Sequence, residues 1–207
     1  MSDTHTELEY KLPAAKVGVN EFVTWCASQG PETYVHLLSP DLYYEQGDST
    51  IRHRWGCDVG EVKGAGELTV KRRKDKKSTT SRVEVDLSFA EKTTRDDVTT
   101  FLEFSGWRHA FTVVKDCHIF NFSAVGKPKV SIVIYDCWLV SGAQNKKASV
   151  PQRFIEIEAA KGSNETLKRD KEIIEEWYQK ISGLFDVEKP INKSLYEIFS
   201  GKSYKLV

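Results

Sequence analysis

Two short runs place acids where they could act together. Thr6-Glu7-Leu8-Glu9-Tyr10-Lys11-Leu12 alternates strictly, so as a strand it sets Glu7, Glu9 and Lys11 on one face and Leu8, Tyr10 and Leu12 on the other. Arg153-Phe154-Ile155-Glu156-Ile157-Glu158-Ala159 repeats the device, with Glu156 and Glu158 on one face and Ile155 and Ile157 opposite. Four carboxylates on two strand faces form a donor set for a hard divalent cation, which oxygen ligands hold.

A single charged strand face is ordinarily the solvated side of a half-buried antiparallel sheet. Here the pattern recurs along the chain. Arg52 and Arg54 share a face in Ile51-Arg52-His53-Arg54, as do Thr69 and Lys71 in Leu68-Thr69-Val70-Lys71. Arg82, Glu84 and Asp86 stand opposite Val83, Val85 and Leu87, and Lys115 lies on a sixth strand. The acids Glu7, Glu9, Glu84, Asp86, Glu156 and Glu158 thus face the bases Lys11, Arg52, Arg54, Lys71, Arg82 and Lys115. Balanced charge of this kind suits a cavity for a metal complex of a polyanion, where cations meet phosphates and carboxylates hold the metal.

The elements that must position these groups follow from periodicity and punctuation. A short helix capped by Asn20 puts Phe22, Val23, Cys26 and Ala27 on one face and ends at Gly30-Pro31. Strand material follows, with Leu42-Tyr43-Tyr44 and Thr50 to Trp55 separated by the turn Gln46-Gly47-Asp48. Residues 56–66 read as irregular, and the strands Glu67 to Arg72 and Ser81 to Phe89 flank a polar turn. Thr94 opens a crossover helix with Val98, Phe101 and Leu102 on one face, ending near Gly106. Phe111 to Phe122 and Val130 to Val140 read as strands, followed by a polar loop and the Glu156/Glu158 strand. Asn164 caps the longest helix, where Leu167, Ile174, Trp177, Ile181 and Leu184 recur at helical spacing. Pro190 precedes a last short helix near Ser194 to Phe199.

Charges on one shared face leave two arrangements: an open sheet wetted on that face, or a barrel with a polar lumen whose apolar exterior is covered by helices. Helices between the strand groups favour the barrel. The chain of 207 residues suits one domain, residues 1–207. Its 30 Lys+Arg against 30 Asp+Glu make nucleic acid an unlikely partner, because a nucleic-acid binder shows a basic excess. Cys26, Cys57, Cys117 and Cys137 have no C-x-x-C spacing and no secretory signal ahead of them, which points to buried reduced thiols and a cytoplasmic protein. The longest apolar stretch contains Asp136 and falls short of a membrane span. Monomer and homodimer both remain open.

The order of the motifs resembles a known family. Glu7-x-Glu9-x-Lys11 is similar to the E-x-E-x-K element of the CYTH superfamily, the triphosphate tunnel metalloenzymes, which include class IV adenylyl cyclases, thiamine triphosphatases and inorganic triphosphatases. Tyr43-Tyr44 with Ile51-Arg52-His53-Arg54 resembles its tyrosine and L-R-x-R strands. Leu68-Thr69-Val70-Lys71 is similar to L-T-x-K, Arg82 to Asp86 to R-x-E-x-E, and Phe154 to Glu158 to the closing E-x-E strand. Thr94 to Trp107 resembles the crossover helix. There are departures: Lys115-Asp116-Cys117 stands where the family has K-x-R, and alternation turns His118 away from Lys115 as a packed histidine. Asp136 takes the place of a family aspartate, but the element expected after it is replaced by Ser141-Gly142-Ala143 and a longer loop.

The resemblance implies an α+β fold, an antiparallel eight-stranded β-barrel tunnel with a charged lumen covered by helices. It implies Lys11, Arg52, Arg54, Lys71, Arg82 and Lys115 as phosphate clamps, and Glu7, Glu9, Glu156, Glu158 and Asp86 as ligands of Mg2+ or Mn2+. Glu84 completes a second metal site or positions water, and Lys11 helps to activate the attacking water. The expected activity is metal-dependent hydrolysis of a triphosphate-containing small molecule. A cyclase making cyclic AMP and pyrophosphate, and a non-catalytic binder of nucleotides or other phosphorylated signals, are the alternatives; an RNA 5′-triphosphatase gains little support from a neutral chain.

Overall fold

The computed structural model describes residues 2–55, 57–58, 61–62, 66–73, 81–89, 92–123, 129–141, 146–147, 149–159 and 167–202. In chain order the elements are β1 Ser2–Pro13, α1 Val19–Ser28, β2 Thr33–Gln46, β3 Ser49–Arg54, β4 Cys57–Asp58, β5 Glu61–Val62, β6 Glu67–Arg73 and β7 Ser81–Ser88. They continue with α2 Arg95–Phe104, β8 Arg108–Phe122, β9 Val130–Ser141, β10 Lys146–Lys147, β11 Gln152–Ala159, α3 Leu167–Ser182 and α4 Leu195–Ser200. Three of the strands have only two residues, and the other eight build the wall.

All the pairings are antiparallel, and they run in the order β7, β6, β3, β2, β8, β9, β11. The result is a strongly curled half-barrel. Its two edges, β7 and β11, are both paired to β1, one to each half of it: Ser2 to Leu8 run beside β7, and Leu8 to Pro13 beside β11. The expected α+β fold with eight antiparallel strands and covering helices is the fold observed.

Alternation along the strands sends apolar side chains outward, where helices bury them. Leu8 and Leu12 of β1, Ile155 and Ile157 of β11, Ile132 and Ile134 of β9 and Phe120 of β8 form one core with Phe22 and Cys26 of α1 and Ile174, Trp177 and Ile181 of α3. Burial of each such side chain contributes about 1.5–3 kcal/mol. A smaller core under α2 joins Val98 and Leu102 to Tyr44 and Leu68. Cys26, Cys117 and Cys137 are buried free thiols, as expected; Cys57 has no described side chain. Burial pushes the Cys26 thiol up to about 12.

Two glycines are required by the backbone. Gly47 has φ 56° in the two-residue turn that joins Gln46 to its partner Ser49. At Gly66, φ is 75° and a Cβ would lie 1.8 Å from the Arg54 carbonyl oxygen, so only glycine lets the chain return beside Arg54.

Some boundaries differ from expectation. Helix α1 is capped by Gly18 rather than Asn20, because the Phe22 amide already bonds the Gly18 carbonyl. Strand β2 begins at Thr33 and runs through Pro40, nine residues ahead of the expected Leu42, because pairing with β8 sustains it. The irregular stretch before Gly66 contains β4 and β5. Phe101, expected on one face of α2 with Val98 and Leu102, is 64% exposed while those two are buried, and Leu184, past the end of α3, is likewise 64% exposed. Asn164 lies outside the described residues. Thr94 caps α2 in a reciprocal box with Asp97, and Ser194 caps α4 in the same way with Glu197. Among the described residues no helix is long and apolar enough to cross a membrane.

Candidate functional site

Several of the expected site residues meet on the inner face of the wall. Register puts Lys11 opposite Glu156 and Glu9 opposite Glu158 across β1 and β11. The Lys11 ammonium lies 3.0 Å from Glu156 Oε1 and 3.4 Å from Glu9 Oε1, and donates to the Lys193 carbonyl oxygen at 3.4 Å. Lys11 and Glu9 are both buried, so this is a desolvated cluster rather than a wetted sheet face. Two carboxylates, Glu9 and Glu156, are among the groups packed against the Lys11 ammonium.

A second cluster centres on Asp41, which sequence reading did not single out. Its carboxylate is fully buried and takes a bidentate pair of hydrogen bonds from Arg54, at 2.6 Å to Nε and 2.8 Å to Nη2. Lys115 Nζ approaches the same carboxylate at 3.4 Å. Burial alone would raise the Asp41 carboxyl, yet Arg54 and Lys115 outweigh it and hold it well below the usual carboxylate range. The guanidinium responds in kind: burial opposes its charge, but Asp41 raises Arg54 above its ordinary value.

Tyr135 joins the two clusters. Its hydroxyl donates to Glu156 Oε1 at 2.7 Å, and the Lys115 ammonium sits 5.6 Å from its ring centroid. A continuous path therefore runs from Glu9 through Lys11, Glu156, Tyr135 and Lys115 to Asp41 and Arg54. Burial pushes Glu156 upward; Lys11, with Lys115 and the Tyr135 hydroxyl, outweighs both that and the nearby Glu9 and keeps it low. Arg52 extends the charged surface on β3, donating to Thr69 Oγ1 at 2.8 Å and Glu67 Oε1 at 3.1 Å.

Other expected residues sit apart from this path or outside what is described. Glu158 lines a cavity of about 340 Å³ with Asn121, Ser131 and Lys129. Asp86 is partly buried on β7, its backbone opposite Thr69. The side chains of Glu7, Lys71, Arg82 and Glu84 lie outside the described residues; in the backbone, Glu7 is opposite Arg82 and Lys71 opposite Glu84. Asp136 is on the outer face, held by Arg153 at 2.8 and 2.9 Å, while the same guanidinium donates to the Val17 carbonyl oxygen. His118 also faces outward, stacked on His36 with ring centroids 4.0 Å apart.

The inner face is not charged throughout. Tyr43, Val113, Tyr135 and Phe154 pack with Leu195 and Tyr196 of α4, and the Tyr196 hydroxyl donates to Glu45 at 2.9 Å. Helix α4 thus covers part of the inner face with an apolar layer.

No protein-family model matches the chain, and no curated protein matches it. Solved structures do. The PH1819 protein of Pyrococcus horikoshii OT3 superposes with a TM-score of 0.65 at 23% identity, over 95% of this chain and 99% of that one. The conserved hypothetical protein Pfu-838710-001 of Pyrococcus furiosus gives 0.60 at 20% identity, over 92% and 98%. A chain in the Schizosaccharomyces pombe Mediator head module gives 0.56 at 14% identity, over 89% and 98%. The likeness is one of fold.

Proposed function

We propose that this protein, as a single domain over residues 1–207, hydrolyses a triphosphate-containing small molecule (tripolyphosphate, a nucleoside triphosphate or thiamine triphosphate) with Mg2+ or Mn2+. The observation that carries the reading is the buried inner-face network that brings Lys11, Lys115 and Arg54 together with Glu9 and Glu156. Phosphoryl transfer asks mainly for charge neutralisation and in-line positioning, which a rigid, desolvated array of cations supplies. Lys11, Arg52, Arg54 and Lys115, with Lys71 and Arg82 of the same motifs, are the phosphate contacts.

Glu9, Glu156 and Glu158 offer oxygen donors of the kind a hard cation takes, Glu9 opposite Glu158 and Glu156 two rungs further along β11. Those three, with Glu7 and Asp86 by resemblance, would hold it, and when bound it supplies charge neutralisation at the phosphoryl oxygens. Glu84 is assigned to a second metal position or to orienting water. The motif order shared with the triphosphate tunnel metalloenzymes supports this reading, and the buried free thiols agree with a cytoplasmic setting.

A second reading, a non-catalytic binder of nucleotides or other phosphorylated signals, is favoured by Asp41. That carboxylate already engages two of the cations assigned to phosphate, Arg54 and Lys115. Product analysis separates the readings. The protein is incubated with tripolyphosphate, ATP and thiamine triphosphate, each with Mg2+ and with Mn2+. Release of inorganic phosphate, abolished by EDTA, is expected. Cyclic nucleotide with equal pyrophosphate would mean a cyclase, and saturable binding without any product would mean a binder.

A further inference from the structure

On the outer face, where β2 pairs with β8, three metal-capable side chains converge away from the inner network. His36 and His118 are directly opposite in the register, and Asp116 lies two residues before His118 on the same face of β8. One ligand atom from each of the three lies within 4.8 Å of the others. His36 Nε2 is 2.6 Å from Asp116 Oδ1, and the two imidazole planes are 11° from parallel. The His36 and Asp116 side chains are 39% and 44% exposed, so an ion reaches them from solvent without any opening of the barrel.

We infer that His36, His118 and Asp116 form a binding site for a borderline divalent cation of the zinc class, separate from the inner-face carboxylates. The donor set decides the class: two imidazole nitrogens with one carboxylate suit Zn2+, Co2+, Ni2+ or Cu2+, whereas Mg2+ and Ca2+ take oxygen. Cross-strand partners hold their Cβ atoms about 4.5–5.5 Å apart, a spacing from which two imidazoles reach one ion. Ligand atoms around a tetrahedral zinc, each about 2.0–2.1 Å from it, stand roughly 3.3 Å apart. The cluster therefore needs only side-chain rotation, with the ion entering between His36 and Asp116.

A supporting contact is already in place. The Tyr34 hydroxyl lies 2.9 Å from His118 Nδ1, a contact that holds the ring and leaves Nε2 for an ion, as outer-shell partners of metal-bound histidine do. Three protein ligands leave at least one position for water or a small anion. The ion would also tie β2 to β8 at the rungs that set Lys115 opposite Ser39 on the inner side.

The test is a Co2+ titration of the EDTA-stripped, desalted full chain in excess Mg2+, which saturates oxygen-donor sites, followed by visible absorption and displacement with Zn2+. One saturable equivalent of Co2+ with a d–d band is expected, with at least a tenfold loss of affinity in His36→Gln and in His118→Gln. Zn2+ should raise the melting temperature of the parent protein and not that of His36→Gln. Each variant is checked by circular dichroism, and exposed His36 supplies the decisive variant if His118→Gln does not fold. Absence of saturable binding to the parent chain, or parent-like affinity in His36→Gln, would overturn the assignment.

Discussion

The inner face carries two kinds of packing two residues apart on the same strands. On β2 the buried Asp41 binds Arg54, while Tyr43 packs beside Phe111 and Tyr196. On β8 Lys115 joins the network and Val113 the apolar layer, and on β11 Glu156 and Phe154 divide in the same way. Tyr135 serves both, with its ring among the aromatics and its hydroxyl on Glu156. The contrast shows that alternation selects the face, while neighbours arriving from distant strands decide whether a charge survives there. The apolar layer also excludes water, which strengthens the electrostatics of the charged one.

The comparison breaks first at Asp41. Asp41→Ala leaves Arg54 and Lys115 buried without their shared counter-charge, and should cost about 3–5 kcal/mol of stability in urea unfolding. Added tripolyphosphate should recover part of that loss in the same titration, because it brings the missing negative charge to the same cations. A loss below about 1 kcal/mol would mean that the two cations are not coupled through Asp41. Next in size, Arg52→Ala should lower kcat/KM for the triphosphate substrate by the equivalent of about 2–4 kcal/mol with little change in fold. Unchanged turnover would confine Arg52 to holding Glu67 and Thr69.

The apolar layer should answer differently. Leu195→Ala should cost about 2–3 kcal/mol of stability while leaving triphosphate affinity within a factor of a few, and a large loss of affinity would tie α4 to the ligand. The acid limb of stability sharpens the contrast further. Asp41 and Glu156 ionise at lower pH folded than unfolded. Their contribution is therefore full above the unfolded carboxylate pKa of about 4 and is lost as pH falls toward the folded values. Asp41→Asn should flatten that slope in unfolding measured from neutral pH downward. Smallest of all, Ser194→Ala should cost about 1 kcal/mol, the loss of the α4 cap.

The charged face was legible at Glu9, Lys11, Arg52, Arg54, Lys115 and Glu156 because strict alternation is a local property of the backbone. Asp41 was not, since Pro40 interrupts the strand pattern and a proline has no amide to donate; pairing with β8 on one side and with β3 and β4 on the other keeps that stretch extended. His36, seven residues before Tyr43, reads in isolation as an ordinary strand residue, and its partner His118 is supplied by register alone. The division of the inner face was hidden for the same reason, because Leu195 and Tyr196 come from beyond the last strand. Helix ends were readable where a side chain caps them, at Thr94 and Ser194, and not at Gly18, where none does.

The seam at β1 has a consequence for how the chain reaches its fold. One half of β1 pairs with β7 and the other half with β11, the last of the described strands. A strand made early in synthesis must therefore keep part of its edge unpaired until one made late arrives. Closing so long a loop is entropically costly, and contacts of such high sequence separation slow folding. The Lys11–Glu156 contact lies on that late-forming seam, so the charged network should be completed in the closing steps of folding, after the β2–β8–β9 wall has formed.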